Sequence, residues 1–409
     1  MPNPRLLNAA VVVSALGYFV DVFDLLLFGA VRVKSLSALG LSGQALTDAG
    51  LFLQNCQMLG LFVGGVGAGI LGDRLGRVRA LYLSIALYAV GTLLNGFVQS
   101  VDAYALCRFI AGIGLAGELG TGITLVAESL PKERRGLGTT IVAAFGMSGA
   151  IAAGSMGWFV DDWRTAYFIG GGLGLGLLAL RLSVSESPVF QKIQHAGGVA
   201  KGKISLFFSD AGRFRRLLYS TLLGVTTWFA VGILMLLAPE FGRAKGLAQP
   251  VDAASAVVWF HVGMSLGDLG SGLLSQRLQS RLRAMRLFLG VQALVVAAYL
   301  FLPFHSVTVL YLLLVLLGFA GGFWAVFMTN AAEQFGTNLR ATAACLVPSF
   351  VRLAFVPIAL SFQWLKQPDY AGSPVWAAAA VGTVVFALSF WASFRLQDSF
   401  SADLEFVEV

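Results

Sequence analysis

The chain has 409 residues, of which 57% are apolar and 12% charged, with a mean hydropathy of +0.80. A soluble domain carries about 25% charged residues, so a chain this apolar cannot keep its surface in water, and lipid must be its main solvent. The formal charge of +7 does not point to nucleic acid, because the basic residues fall in short loops between apolar runs rather than on a basic face.

The first apolar run, from Leu6, contains Asp21 and Asp24 and is too long for the core of a cleavable signal peptide. A helix needs about 20 apolar residues to cross the hydrocarbon layer. On that scale the spans are 6–31, 50–72, 79–98, 101–128, 137–160 and 164–183, then 215–241, 253–275, 284–303, 307–332, 339–365 and 373–395. A polar linker, 184–214, with Lys192, Lys201, Lys203 and Arg213, divides the spans six plus six, and a short acidic tail, 398–409, follows.

Basic residues give an independent test. With the N-terminus inside, cytoplasmic segments hold 19 Lys and Arg, the opposite side holds six (Arg32, Lys34, Arg164, Arg243, Lys245 and Lys366), and Arg108, Arg181 and Arg352 fall within spans. That asymmetry puts both termini in the cytoplasm of an inner (cell) membrane and requires an even number of crossings.

The halves resemble each other weakly. Gly69-Ile-Leu-Gly72-Asp73-Arg74-Leu-Gly76-Arg77-Val-Arg79 follows span 2, and Gly272-Leu-Leu-Ser-Gln276-Arg277-Leu-Gln-Ser-Arg281-Leu-Arg283 follows span 8; Gln276 and Gln279 replace the Asp and the second Gly. The expected fold is all-α: twelve transmembrane helices in two pseudo-symmetric six-helix bundles, 1–183 and 215–397, with a substrate site between them near the bilayer midplane.

Charges inside lipid-spanning segments cost about 2.5–3.5 kcal/mol each, so each asks for a reason. Asp21 and Asp24 sit one helical turn apart. Two close carboxylates in a low dielectric resist double ionisation, which suits proton coupling; a static hydrogen-bonded pair is the alternative. By helical rise, Asp24 lies about 10 Å and Arg108 about 6–10 Å from the same surface, so the two can meet, as a switch or as a structural ion pair.

Glu118, in the small-residue run Gly117-Glu118-Leu-Gly120, reads as a substrate or proton site or a helix-packing contact. Glu128 reads as a gate or loop salt bridge. Arg352 lies deep in span 11 between Pro348 and Pro357; its planar fork suits an anion, with pairing to Asp268 or another acid as the alternative. Asp268 and His261 share nearly one face of span 8. Gln57, with Gln54, Asn55 and Asn95, either lines the cavity or joins helix to helix. Tyr18, Trp228 and Trp324 are candidate walls that compete with lipid contact.

Cys56, Cys107 and Cys345 lie in apolar runs without CxxC spacing and read as small buried hydrophobes, not as a disulfide or metal site. Gly112-x-Gly114-x2-Gly117 has the GxGxxG form but no preceding strand, so dinucleotide binding fails its context. No cofactor, metal or catalytic group is expected, and the chain does not read as an enzyme.

The motif Gly69-x3-Asp73-Arg74-x-Gly76-Arg77-x-Arg79 resembles the loop signature of the major facilitator superfamily, and Arg108-x3-Gly112-x-Gly114-x2-Gly117 resembles its fourth-helix motif. Ser185-Glu186-Ser187-Pro188-Val189-Phe190, Asp21-x2-Asp24, Gly117-Glu118 and Trp163-Arg164 are similar to segments of its metabolite:proton symporter group. The resemblance implies an Asp–Arg switch in spans 1 and 4. It also implies a conformational latch at Asp73, Arg74, Arg77 and Arg79, with Glu128. Antiporters of the superfamily carry a proline-bearing glycine motif in helix 5; span 5 has Gly146, Gly149, Gly154 and Gly157 but no proline.

The expected function is therefore proton-coupled symport of a small organic anion by a monomer. Asp21, Asp24, Arg108 and Glu118 would couple protons, and Arg352, Glu118, Asp268, His261, Gln57, Tyr18 and Trp324 would hold substrate. Export by antiport, phosphate or polyol uptake, and a transport-dead receptor on the same scaffold are the alternatives.

Overall fold

Among the described residues the apolar runs fold as helix, because in hydrocarbon an unpartnered backbone N–H or C=O is too expensive to leave open. The computed structural model describes residues 9–75, 77–116, 132–181, 204–336, 339–400 and 408, and no strand occurs among them. The first half comprises α1 (Ala9–Ala38), α2 (Gly43–Leu75), α3 (Arg77–Asn95), α4 (Val101–Leu115), α5 (Lys132–Phe159) and α6 (Trp163–Arg181). The second comprises α7 (Ala211–Phe229), α8 (Ala253–Leu278), α9 (Arg281–Phe301), α10 (Val307–Gly321, resuming as Trp324–Glu333), α11 (Arg340–Leu353, resuming as Phe355–Leu365) and α12 (Pro374–Arg395). Eight helical runs among the described residues are long and apolar enough to cross a bilayer. Hydroxyl and carboxylate caps set many of the starts: Ser100, Asp210, Asp252, Ser280, Ser306 and Ser373 each accept from a backbone N–H in the first turn of the helix that follows.

Several expected boundaries move. Helix α1 runs seven residues past 31, and α2 starts at Gly43 rather than 50. The span expected at 215–241 begins earlier, at Ala211, loosens into a π-helical turn at Ala230–Met235, and gives way to a separate short helix, Ala238–Ala244. A further short helix, Leu206–Ser209, and the first turn of α7 occupy the end of the expected linker 184–214; residues 182–203 lie outside the described residues.

The packing repeats between halves. In α2, a methyl at Gly60 or Gly64 would run into the backbone of Phe109 or Ile113 in α4; in α8, one at Gly263 or Gly267 would run into Val315 or Phe319 in α10. Small residues at these points let the backbones touch. The second glycine pair lies 203 positions after the first, 60 to 263 and 64 to 267, so the weak sequence repeat corresponds to a repeated helix contact. Between the halves, α5 and α1 pack on α8, and α2 packs on α11.

The second half carries the irregular backbone. Helix α10 breaks at Gly322–Phe323, where Gly322 is pressed against the Met264 carbonyl and the Asp268 amide. Helix α11 bends at Ala354, between Pro348 and Pro357. Such breaks are tolerated at membrane depth where protein or a cavity receives the freed backbone groups.

Candidate functional site

A cavity lies where the halves meet. The first half contributes Tyr18, Asp21, Val22, Leu25 and Met147; the second contributes Thr227, Trp228, His261, Met264, Trp324 and Arg352. Arg352 is supplied by the bent part of α11, Trp324 by the restart of α10, and Trp228 by the residues just before the π-helical turn. The breaks of the second half therefore line the site.

Arg352 has no hydrogen bond or ion pair among the described residues, and its buried Nε is unpartnered. Asp21 and Tyr18 lie in its electrostatic field from the other half. The buried Trp228 indole N–H and Thr227 hydroxyl also lack partners. His261 donates from Nδ1 to the Val257 carbonyl at 2.8 Å, which leaves the neutral ring's Nε2 as an acceptor. The cavity thus offers a guanidinium, an indole N–H and a hydroxyl between aromatic walls: donors for an anion and surfaces for a flat ring. Thr227 was missed by the sequence reading, and nothing in an apolar run marks one threonine above its neighbours Thr221 and Thr226.

Asp24, one turn beyond Asp21, does not line the cavity. It is buried, and its Oδ1 accepts from Thr92 Oγ1 at 2.6 Å while Oδ2 has no partner. Arg108 is also fully buried; its Nη2 donates to Gln57 Oε1, its guanidinium covers the Phe28 ring at 4.6 Å, and Nε and Nη1 are unpartnered. Asp24 and Arg108 feel each other's charge without closing a salt bridge, because Thr92 and Gln57 hold them apart. Behind them, the Tyr104 and Tyr167 hydroxyls share a 2.5 Å hydrogen bond, and Tyr104 donates to Ser35 at 3.3 Å.

Two expected substrate contacts are placed elsewhere. Gln57 is outside the cavity lining, because its amide oxygen serves Arg108. Asp268 stands beside the cavity, where Oδ1 accepts the Ala325 N–H at 3.2 Å and caps the restarted segment of α10; the expected alternative pairing of Asp268 with Arg352 does not form. Glu118 and Glu128 lie outside the described residues, as do the side chains of Asp73, Arg74 and Arg77 between α2 and α3, while Arg79 is exposed.

At one end the halves are tied shut. Arg32 of α1 meets Glu240 through two 2.8 Å contacts, also donates to the Leu236 carbonyl at 2.9 Å, and Thr47 joins Glu240 at 3.3 Å. Lys366 of α11 pairs with Asp48 of α2 at 2.8 Å, and Trp158 of α5 donates to Ser255 of α8 at 3.0 Å. Glu240 lies past the α7 crossing, which ends at Met235. Burial alone would raise its carboxyl, but the Arg32 guanidinium outweighs burial and holds it below the ordinary glutamate range. Hydropathy counts Arg32 and Glu240 as end charges and carries no signal that residues 208 positions apart are partners.

The comparisons with known proteins agree with this architecture. The gentisate transporter of Corynebacterium glutamicum is 24% identical over 353 residues, covering 82% of this chain and 76% of the relative. The niacin transporter NiaP of Acinetobacter baylyi is 26% identical over 321 residues, covering 70% and 71%. The inward-open structure of the xylose transporter XylE from E. coli superposes with a TM-score of 0.73 at 17% identity, covering 97% of both chains. The crystal structure of a D-xylose–proton symporter superposes at 0.71, also with 17% identity, covering 96% of this chain and 98% of the other. The protein is a solute transporter, not an enzyme. The sequence model of the Major Facilitator Superfamily matches residues 14–359, and the chain belongs to that family.

Proposed function

We propose that the protein takes up a small, flat organic anion, an aromatic or unsaturated carboxylate, together with protons, by alternating access across the cell membrane. The observation that carries this reading is Arg352: a guanidinium at the junction of the halves with no ion pair among the described residues, beside the Trp228 and Thr227 donors, which have no partner there either. A guanidinium grips a carboxylate through a planar fork, and Trp228, Trp324 and Tyr18 supply faces for a ring. A polyol would leave the cation unmatched, and inorganic phosphate would leave the aromatic walls unused. The relatives named for gentisate and niacin support the same class.

Coupling to protons follows from energetics. A membrane potential, negative inside, opposes an anion by about 2.3 kcal/mol per charge per 100 mV, and a proton carried along removes that opposition. Asp21, in the field of Arg352, and Asp24, beside Arg108, are the proposed proton sites. When Asp24 is protonated, Arg108 rests on Gln57; when it ionises, the guanidinium swings to it, giving two states for the ligand and proton to select between. The basic-residue asymmetry supports termini in the cytoplasm, which makes the Arg32–Glu240 and Asp48–Lys366 end the outer gate. The absence of proline from the glycine series of α5 favours uptake over export.

Calorimetry of the purified protein with a panel of benzoate-type acids and their neutral amides tests the substrate class. The acids bind and the amides do not; equal binding of both would remove the guanidinium from recognition.

A further inference from the structure

Where α9 begins and α12 ends, three arginines stand at the same end of the two helices. Arg283 and Arg286 lie one turn apart at the start of α9, and Arg395 closes α12. Arg286 joins the helices: its Nη2 donates to the Ser393 carbonyl at 2.6 Å, its Nε to Ser393 Oγ at 3.3 Å, and its guanidinium covers the Phe394 ring at 4.4 Å. Arg395 lies over Trp391, 5.8 Å from the ring centre. Arg283 and Arg286 repel each other. None of the three has a carboxylate at ion-pair distance among the described residues. Asp398, whose field reaches Arg286, is engaged instead by the Ser280 hydroxyl and the N–H groups of Arg281 and Leu282.

From this cluster an apolar strip runs along the same two helices. Leu287, Val291 and Leu294 of α9 and Val384, Leu388 and Trp391 of α12 are all exposed. Like charges held together, with no carboxylate at ion-pair distance among the described residues, at the head of an apolar strip, match a ligand with an anionic head and hydrocarbon tails.

We propose that the α9/α12 seam is a binding site for an anionic phospholipid, with its phosphate on Arg283, Arg286 and Arg395 and its acyl chains along the strip. Arginine forks suit phosphate oxygens, and basic pockets between helices at the membrane boundary recognise anionic headgroups. A soluble anion would use the guanidiniums and leave the strip empty. The end of the bundle bearing these arginines is the cytoplasmic one in the orientation proposed above, where it meets the anionic inner leaflet, but the site itself needs only the seam.

Native mass spectrometry of the delipidated full chain, titrated with phosphatidylglycerol or phosphatidylcholine, tests the site. The wild type retains phosphatidylglycerol in preference. Arg283→Gln and Arg395→Gln each weaken that binding about fivefold, and the double variant abolishes the preference while melting like the wild type. Arg277→Gln, a charge removed at the same end but on α8, leaves binding intact. Should the double variant misfold, the single variants are read in the same way. An unchanged preference in the seam variants, an equal loss in Arg277→Gln, or displacement of the lipid by inorganic phosphate would each overturn the proposal.

Discussion

On the proposed reading, recognition turns on Arg352. Its guanidinium lines the cavity with no ion pair among the described residues, so removing it deletes the anion's counter-charge. Arg352→Ala should weaken binding of an aromatic carboxylate about 100-fold, consistent with losing a charge-assisted bidentate contact of roughly 3 kcal/mol. Arg352→Lys should recover only part of it, because an ammonium is a point charge and not a fork. Titration calorimetry reads both; an unchanged dissociation constant in the alanine variant would exclude Arg352 from the site. At the closed end, Glu240 sets a pH dependence. Its folded value is depressed by Arg32, so the stabilisation it lends is fully present above its ordinary value near 4.5 and is lost as pH falls through the depressed one. Spin labels at Gln44 and Gly372, which flank a second cavity there, should report a constant separation from neutrality to about pH 4.5 and widening only below that. Widening at pH 6, where Glu240 stays ionised, would show that another group controls the gate.

At the scale of elements, glycine contacts hold the scaffold against which the breaks move. A methyl at Gly263 would meet the Val315 carbonyl, whereas Gly272, lower in the same helix, has nothing within 4 Å of the corresponding position. Gly263→Ala should therefore lower Tm in detergent by several degrees, in line with overpacking costs of about 1–3 kcal/mol, while Gly272→Ala should be neutral or slightly stabilising. Equal shifts would mean that backbone contact between α8 and α10 does not limit stability. The helices themselves were legible, since a membrane leaves an apolar run few options but helix. Their breaks were not. Residues 307–332 are apolar throughout, so hydropathy cannot see the gap at Gly322–Phe323, and the role of Asp268 as the cap of Ala325 depends on that gap. Depth along a helix allowed Asp24 and Arg108 to meet, but it could not show that Asp24 would accept from Thr92 and Arg108 donate to Gln57.

At the scale of the whole molecule, the two halves meet along α5–α8, α1–α8 and α2–α11, and among the described residues the ion pairs that cross between them sit at one end. Glycines 203 positions apart (60 and 263) make the corresponding contacts in each half, so the halves can rock as similar rigid units about a central ligand. The apolar runs of the sequence already pointed to an all-helical membrane fold of this family. The gate was hidden because its partners, Arg32 with Glu240 and Asp48 with Lys366, lie in different halves and are joined only by folding. The proposed proton coupling would link the gate to the site, and Asp24 is where that link is most exposed to test. The decisive measurement is uptake into proteoliposomes by the wild type and Asp24→Asn, with an inward proton gradient and, separately, with substrate exchange at equal pH. The proposed coupling predicts that Asp24→Asn loses gradient-driven accumulation of the carboxylate and keeps exchange; accumulation at the wild-type level would contradict it.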